Sequence, residues 1–258
     1  DESKLRLLDE LDFKNLTIQV SLDSIDPTTH DNYRNFIGAH AKAINSLKLL
    51  SNFKKINSSV RMTINKNTIS EIEEMIKLLI PLKVMRLGVG AVIPTGAAST
   101  GSQHLKPEEK KNFLNLLAIM AKKYKSVIEI VTEDPMKCIV DNNPWIKPEV
   151  YKIMHNPNVF GGCTAGIDCF NVDTKYNITP CSVFQEPIVS LLDYDNVIDL
   201  THAYENSSLL KRILERKFDG KCQKCSYKRI CGGCRATAKY FGGSYFSSDG
   251  TCWIQECN

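Results

Sequence analysis

The sequence has little excess charge of either sign. Its 33 Lys and Arg stand against 29 Asp and Glu, a formal +4 over 258 residues. That is too little to argue for nucleic acid or an anionic membrane as a partner. No long apolar run is present. The most apolar stretch, Ile76 to Gly96, is broken by Lys77, Lys83 and Arg86, which excludes an ordinary membrane span. No internal repeat points to a solenoid. Neither GxGxxG nor a GxxxxGK phosphate loop occurs, and Gly88 and Gly90 in LGVGAV are not followed by a helix that fits a dinucleotide loop. Those two glycines stay open between close packing in a sheet and a ligand role. With 43% hydrophobic and 24% charged residues, the chain is neither disordered nor fibrous. It is long enough for one large domain or two smaller ones with a sizeable core.

The first half alternates between two periodicities. Leu16 to Leu22 (LTIQVSL) is short, apolar and β-branched, as a buried strand is. From about Gly38 to Leu50, Ala41, Ile44, Leu47 and Leu50 recur at helical spacing. Val60 to Ile64 reads as a second strand, ended by Asn65 to Asn67. Ser70 with Glu73 three residues on predicts a capping box. The helix it opens would bury Ile72, Met75, Ile76 and Leu79 and stop at Pro81. Val84 to Ile93 is a third strand. Pro107 opens a helix with Phe113, Leu114, Leu117 and Met120 on one face, and Val127 to Val131 is a fourth strand. Strand and helix in alternation predict an α/β fold with a mostly parallel sheet. Ligands of such sheets gather at the carboxyl ends of strands, here Ser21 and Asp23, Thr63 and Asn65, and Ile93 to Thr95.

Cysteine is abundant and lopsided: nine of ten lie between Cys163 and Cys257. The centre of that half reads CQKCSYKRICGGC. Two CxxC pairs are a strong metal signal, because a two-residue spacer turns both thiolates toward one ion or cluster. Gly232 and Gly233 let the backbone approach closely between Cys231 and Cys234. Disulfide staples are not needed by a chain with an α/β core of this size. Two four-cysteine zinc sites and two [4Fe–4S] clusters would each use eight thiolates, and spacing alone does not separate them. Lys221, Lys224, Lys228, Arg229 and Arg235 surround the cysteines. They suit the net −2 of either centre, or form a solvated face.

The segments GGCTAGIDCFNVDTKYNITPC and CQKCSYKRICGGCRATAKY, followed by Cys252, resemble the SPASM domain of radical S-adenosylmethionine enzymes. The first half is similar as well: QVSLDSIDPTTHDNYRN looks like the fourth strand of that family's barrel, RMTINKNTISEIEEMIKLL the fifth, and RLGVGAVIPTG the sixth. The resemblance implies the C-terminal part of a partial (β/α)6 barrel over residues 1–135, a linker over 136–160, and a small iron–sulfur domain over 161–258. It implies one auxiliary [4Fe–4S] cluster on Cys163, Cys169, Cys181 and Cys234, and a second on Cys222, Cys225, Cys231 and Cys252. Cys138 and Cys257 are left spare. For S-adenosylmethionine it implies Ser21, with Arg34 toward the carboxylate and Asn65, Ile93 and Pro94 as weaker ribose and adenine contacts.

The family's CxxxCxxC motif, which holds the third [4Fe–4S] cluster that cleaves S-adenosylmethionine, is absent from the sequence. The chain is therefore read as a fragment of a larger enzyme, with about three strands and helices, roughly 80 to 120 residues, upstream. In such enzymes the cofactor makes a 5′-deoxyadenosyl radical that abstracts hydrogen, and the protein supplies position and tuned potentials. Fully ligated auxiliary clusters imply electron transfer rather than substrate ligation. Sulfatase maturases of this pattern carry a proposed catalytic Asp after the third cysteine. Here Ser182 stands there, a poor base, and no catalytic residue is assigned. Asp168 and Asp173 read as turn residues. The expected substrate is a peptide or protein, with ferredoxin or flavodoxin as low-potential electron donor, in a cytoplasmic setting without nucleic acid or membrane. A haem-pathway decarboxylase, which the CGGCRA segment also resembles, an electron-transfer module and a structural zinc protein are the competing readings.

Overall fold

The computed structural model describes residues 2–101 and 103–255. The chain divides into two compact units. One comprises Asp1–Val92, Gln103–Leu105 and Lys111–Glu133; the other comprises Ile93–Ser102, Lys106–Lys110 and Asp134–Asn258.

The first unit is an α/β layer, as the alternating pattern predicts. After α1 (Glu2–Glu10) come β1 (Leu16–Ser21), α2 (Pro27–Arg34), α3 (Ala39–Leu50), β2 (Ile56–Ile64), α4 (Ile72–Leu79), β3 (Arg86–Ala91), α5 (Pro107–Lys123) and β4 (Glu129–Val131). The four strands form one parallel sheet in the order β1-β2-β3-β4. Parallel strands are covered on both faces and so read as continuous apolar runs. Val60, Met62, Ile64, Leu87 and Val89 are each 0% exposed. The stripe Ile72, Met75, Ile76 and Leu79 of α4 is fully buried, and Phe113, Leu114 and Leu117 of α5 are too.

Two local expectations fail. The capping box at Ser70 does not form. A 3-10 turn, Ile69–Glu71, precedes α4, whose N-cap is Glu71 without a side-chain cap bond. Glu73 instead accepts from Lys123 Nζ at 2.6 Å and Tyr124 Oη at 2.9 Å, so a tertiary partner outcompetes the cap. On α3 the buried stripe is Ala43, Leu47 and Leu50, whereas Ala41 is exposed. At Gly90 a Cβ would meet the tip of the Arg61 side chain, which reaches over it from the neighbouring strand.

In the second unit regular structure is sparse. It holds α6 (Pro148–Lys152), the antiparallel strands β5 (Asn171–Val172), β6 (Asn177–Thr179) and β7 (Val189–Ser190), then α7 (Val197–Asn206), α8 (Ser208–Leu214), α9 (Lys221–Lys224) and α10 (Arg235–Gly242). Its small core is Ala165, Phe184, Ile213, Phe218 and Phe246, with Cys163, Cys181 and Cys222 packed against it. Among the described residues no helix is long and apolar enough to cross a membrane.

Candidate metal centre

The early cysteine loop is tied to the central group by its backbone. Gly161 N–H donates to Arg229 O at 3.0 Å, and Cys163 N–H donates to Cys231 O at 2.8 Å. Gly162 makes this possible: its φ is +63°, and a Cβ would collide with the Cys231 carbonyl. Gly166 N–H reaches both Cys169 O and Pro180 O at 2.9 Å, which folds the loop so that Cys163 and Cys169 lie within electrostatic range of Cys181. Cys234, the N-cap of α10, lies within the same range of Cys163.

The second foursome meets at a single cavity. Cys222, Cys225, Cys231 and Cys252 all line it, together with Met136, Ile139, Phe218, Gly232, Gly233 and Asp249 among others. Short α9 carries Cys222 and presents Cys225 just beyond its end. Lys221 Nζ donates to Cys252 O at 2.9 Å and Ile254 O at 2.8 Å, fastening the C-terminal cysteine to that helix. Among the described residues, no three Cys, His, Asp or Glu side chains converge closely enough to hold a single metal ion.

These thiols resist ionisation. Burial raises Cys234, with the Asp249 carboxylate adding to it, to about 11. Burial raises Cys252 to about 11 as well, although Lys221 pulls the other way, and burial also raises Cys181. Cys231 is driven well above the ordinary thiol range, first by a hydrogen bond with Cys138 and then by burial. Thiols of this kind become thiolates when a cation replaces the proton.

Several residues here were invisible to sequence spacing. Cys138, read as spare, is 1% exposed, donates to Pro135 O at 3.3 Å and touches Cys231, a residue far along the chain. Asp249 is 1% exposed; its Oδ2 accepts from Cys234 N–H at 2.8 Å and its Oδ1 from Thr251 N–H and Oγ1. Lys110 pairs with Asp134, both side chains 7% exposed, and also faces Asp249 and Cys234. The basic neighbours are not simply a solvated face. Lys224 is exposed, but Lys221 and Arg229 spend donors on carbonyls and Arg235 is buried. Ser182 is exposed, and Asp173 holds a turn by accepting from Lys175 and Asn177. Cys257 lies outside the described residues.

The residues read as S-adenosylmethionine contacts follow the carboxyl ends of the strands. Ser21 ends β1, exposed and paired with Arg61. Arg34 already has a partner: its Nε and Nη2 grip Asp23 Oδ2 at 2.6 and 2.5 Å. Asp23, 2% exposed, also accepts from Thr63 N–H at 2.9 Å, joining the ends of β1 and β2. Asn65 is buried in a turn, its N–H donating to Thr68 Oγ1 and its Oδ1 accepting from Asn67 N–H. Ile93 and Pro94 follow β3 and fall in the second unit.

No family profile matches the sequence. An AdoMet-dependent heme synthase of Oleidesulfovibrio alaskensis is 24% identical over 256 residues, covering 92% of this chain and 61% of that protein. A PqqA peptide cyclase of Rhizobium meliloti is 22% identical over 245 residues, covering 91% of this chain and 59% of that protein. The chain thus spans about three fifths of the length of these curated relatives. In fold, Streptococcus suis SuiB bound to S-adenosylmethionine superposes with a TM-score of 0.68 at 16% identity, covering 98% of this chain and 57% of SuiB.

Proposed function

We propose, from this chain's likeness in sequence and fold to radical S-adenosylmethionine enzymes, that its cysteine-rich half holds two [4Fe–4S] clusters. Cys163, Cys169, Cys181 and Cys234 would hold one, and Cys222, Cys225, Cys231 and Cys252 the other. The observation that carries the reading is the cavity lined by all four cysteines of the second set. A lone zinc ion needs its four sulfurs drawn tightly to one point. A cubane of four irons also takes four thiolates, and a count of iron, sulfide and zinc decides between the two. When bound, such a cluster supplies one-electron chemistry.

The chain's own residues do the rest. Met136, Ile139 and Phe218 give the cavity an apolar wall that limits water at the sulfur. Asp249 fixes the Cys234 backbone. The strand ends carrying Ser21, Asn65, Ile93 and Pro94 are proposed to meet S-adenosylmethionine. Arg34, held in place by Asp23, is proposed to reach the carboxylate of the same ligand with its remaining donors.

For the whole protein we propose a peptide substrate, modified after hydrogen abstraction, with ferredoxin or flavodoxin supplying electrons. PqqA peptide cyclase among the relatives, and SuiB solved with precursor peptide SuiA, support it. The relatives named heme synthase support a second reading, a haem-pathway substrate.

Iron, sulfide and zinc counted per chain on protein prepared without oxygen test the cluster reading. About eight iron and eight sulfide are expected; about two zinc without sulfide overturns it. Deoxyadenosine release by the full-length protein with a peptide or a tetrapyrrole then separates the two substrates.

A further inference from the structure

Two arginines in the second unit are buried with only part of their donors satisfied. Arg216 is 2% and Arg235 is 3% exposed. Each spends only part of its donor set. Arg216 Nη2 donates to Gly161 O and Cys163 O, both at 2.8 Å. Arg235 Nη1 donates to Tyr245 O at 3.0 Å and Ser247 O at 2.9 Å. Arg216 Nε, Arg235 Nε and Arg235 Nη2 are buried with no hydrogen-bond partner. None of the ion pairs among the described residues includes either arginine. The nearby carboxylate of Asp249 is already engaged with Cys234 and Thr251. The two guanidiniums also repel each other. Stacking on Phe218, 4.1 Å from the Arg235 guanidinium carbon, shields an apolar face and brings no negative charge. Buried like charges with spare donors call for an anion.

Arg216 faces sulfur, and Arg235 directly follows Cys234 in the chain. Arg216 stands within electrostatic range of Cys163 and of Cys231, one member of each set of four. The two glycines of CGGC make the room. A Cβ on Gly232 would run into Arg216 Nη1, and one on Gly233 would come within 2.8 Å of Arg235 Nη2. Both glycines also have positive φ, +72° and +58°. The Gly-Gly pair is therefore a seat for two guanidiniums as well as a turn.

We infer that Arg216 and Arg235 are positioning residues for the clusters, giving fixed positive charge and spare N–H donors to sulfur on the two sides of Gly232-Gly233. Arg216 serves both clusters and Arg235 the one held by Cys234. The inference rests on the cluster reading. Its consequence is that both arginines favour the reduced, more negative state.

The test is a reductive titration of each cluster, followed by electron paramagnetic resonance, together with iron counting. Arg216→Gln is expected to shift the reduction equilibrium of both clusters about tenfold toward the oxidised form, ~59 mV for one electron. Arg235→Gln is expected to shift the first cluster alone. Arg216→Lys and Arg235→Lys keep the charge but lose the planar fork, and are expected to recover most of the shift. If the Gln variants lose iron instead, the Lys variants are expected to keep it. Lys variants that behave like the Gln variants, in potential or in iron content, overturn the inference. So do Gln variants with clusters at the wild-type potential, and that result leaves the cluster reading standing. Wild-type protein without sulfide overturns both.

Discussion

The two units solve the burial problem in opposite ways. The first is held by aliphatic side chains. Its β2 strand runs nine residues, and the helices over the sheet bury whole apolar stripes. Its buried Asp23 is paired inside the unit, where Arg34 and Thr63 N–H use both carboxylate oxygens. The second unit has strands of two or three residues and a core cluster of five buried residues. It also encloses two guanidiniums with unmet donors and thiols that burial keeps protonated. Strands that short do not hold a fold by themselves. The difference teaches that aliphatic stripes organise the first unit, whereas the second buries cysteine and positive charge with little regular structure around them.

Removing the metal should break that comparison open with the largest effect. Structural metal binding at thiolates amounts to about 10–16 kcal/mol for zinc, and a cluster domain is expected to depend on its cargo no less. Chelation of the reduced protein should cost residues 134–255 most of their amide exchange protection, while β1 to β4 keep theirs. Equal loss in both units would refute the contrast. A smaller effect probes the aliphatic side. Ile76→Ala, at a fully buried position, should destabilise the first unit by about 2–5 kcal/mol in urea and leave the iron content unchanged. Iron loss from this variant would show that the units are not independent in stability.

The smallest effect concerns pH. His30 is 1% exposed, and its Nδ1 accepts Asp23 N–H at 3.1 Å, so the ring is neutral. Burial, the largest cause, lowers its pKa despite the pull of Asp23. With the folded value below the unfolded one, the unfolded chain binds the proton first. The stability from neutral His30 is therefore complete above about pH 6.5 and is lost as pH falls toward the folded value, by at most about 1.4 kcal/mol per pH unit. Urea midpoints of the first unit at pH 7.5 and 5.5 check this; His30→Asn, which still offers an acceptor, should flatten the slope.

Periodicity made most of the first unit legible. Ile72, Met75, Ile76 and Leu79 recur at helical spacing and all four are buried, because a helix facing a sheet must hide one stripe. Ser70 was misleading because a cap competes with tertiary partners, and Glu73 found Lys123 and Tyr124. In the second unit the CxxC pairs were equally plain, since their geometry is local. Cys138 beside Cys231, Lys110 with Asp134, and Asp249 beneath Cys234 left no such trace.

By itself the sequence determined the alternating α/β layer and the residues able to act as soft ligands, because both follow from short-range spacing and side-chain chemistry. Only the tertiary structure decided which charges face those ligands. Arg216 reaches Gly161 and Cys163 from more than fifty residues away, and Gly232 and Gly233 hold the space that it and Arg235 occupy. Electrostatic fields act through space, and proximity in space between distant segments is set by packing rather than by any local period.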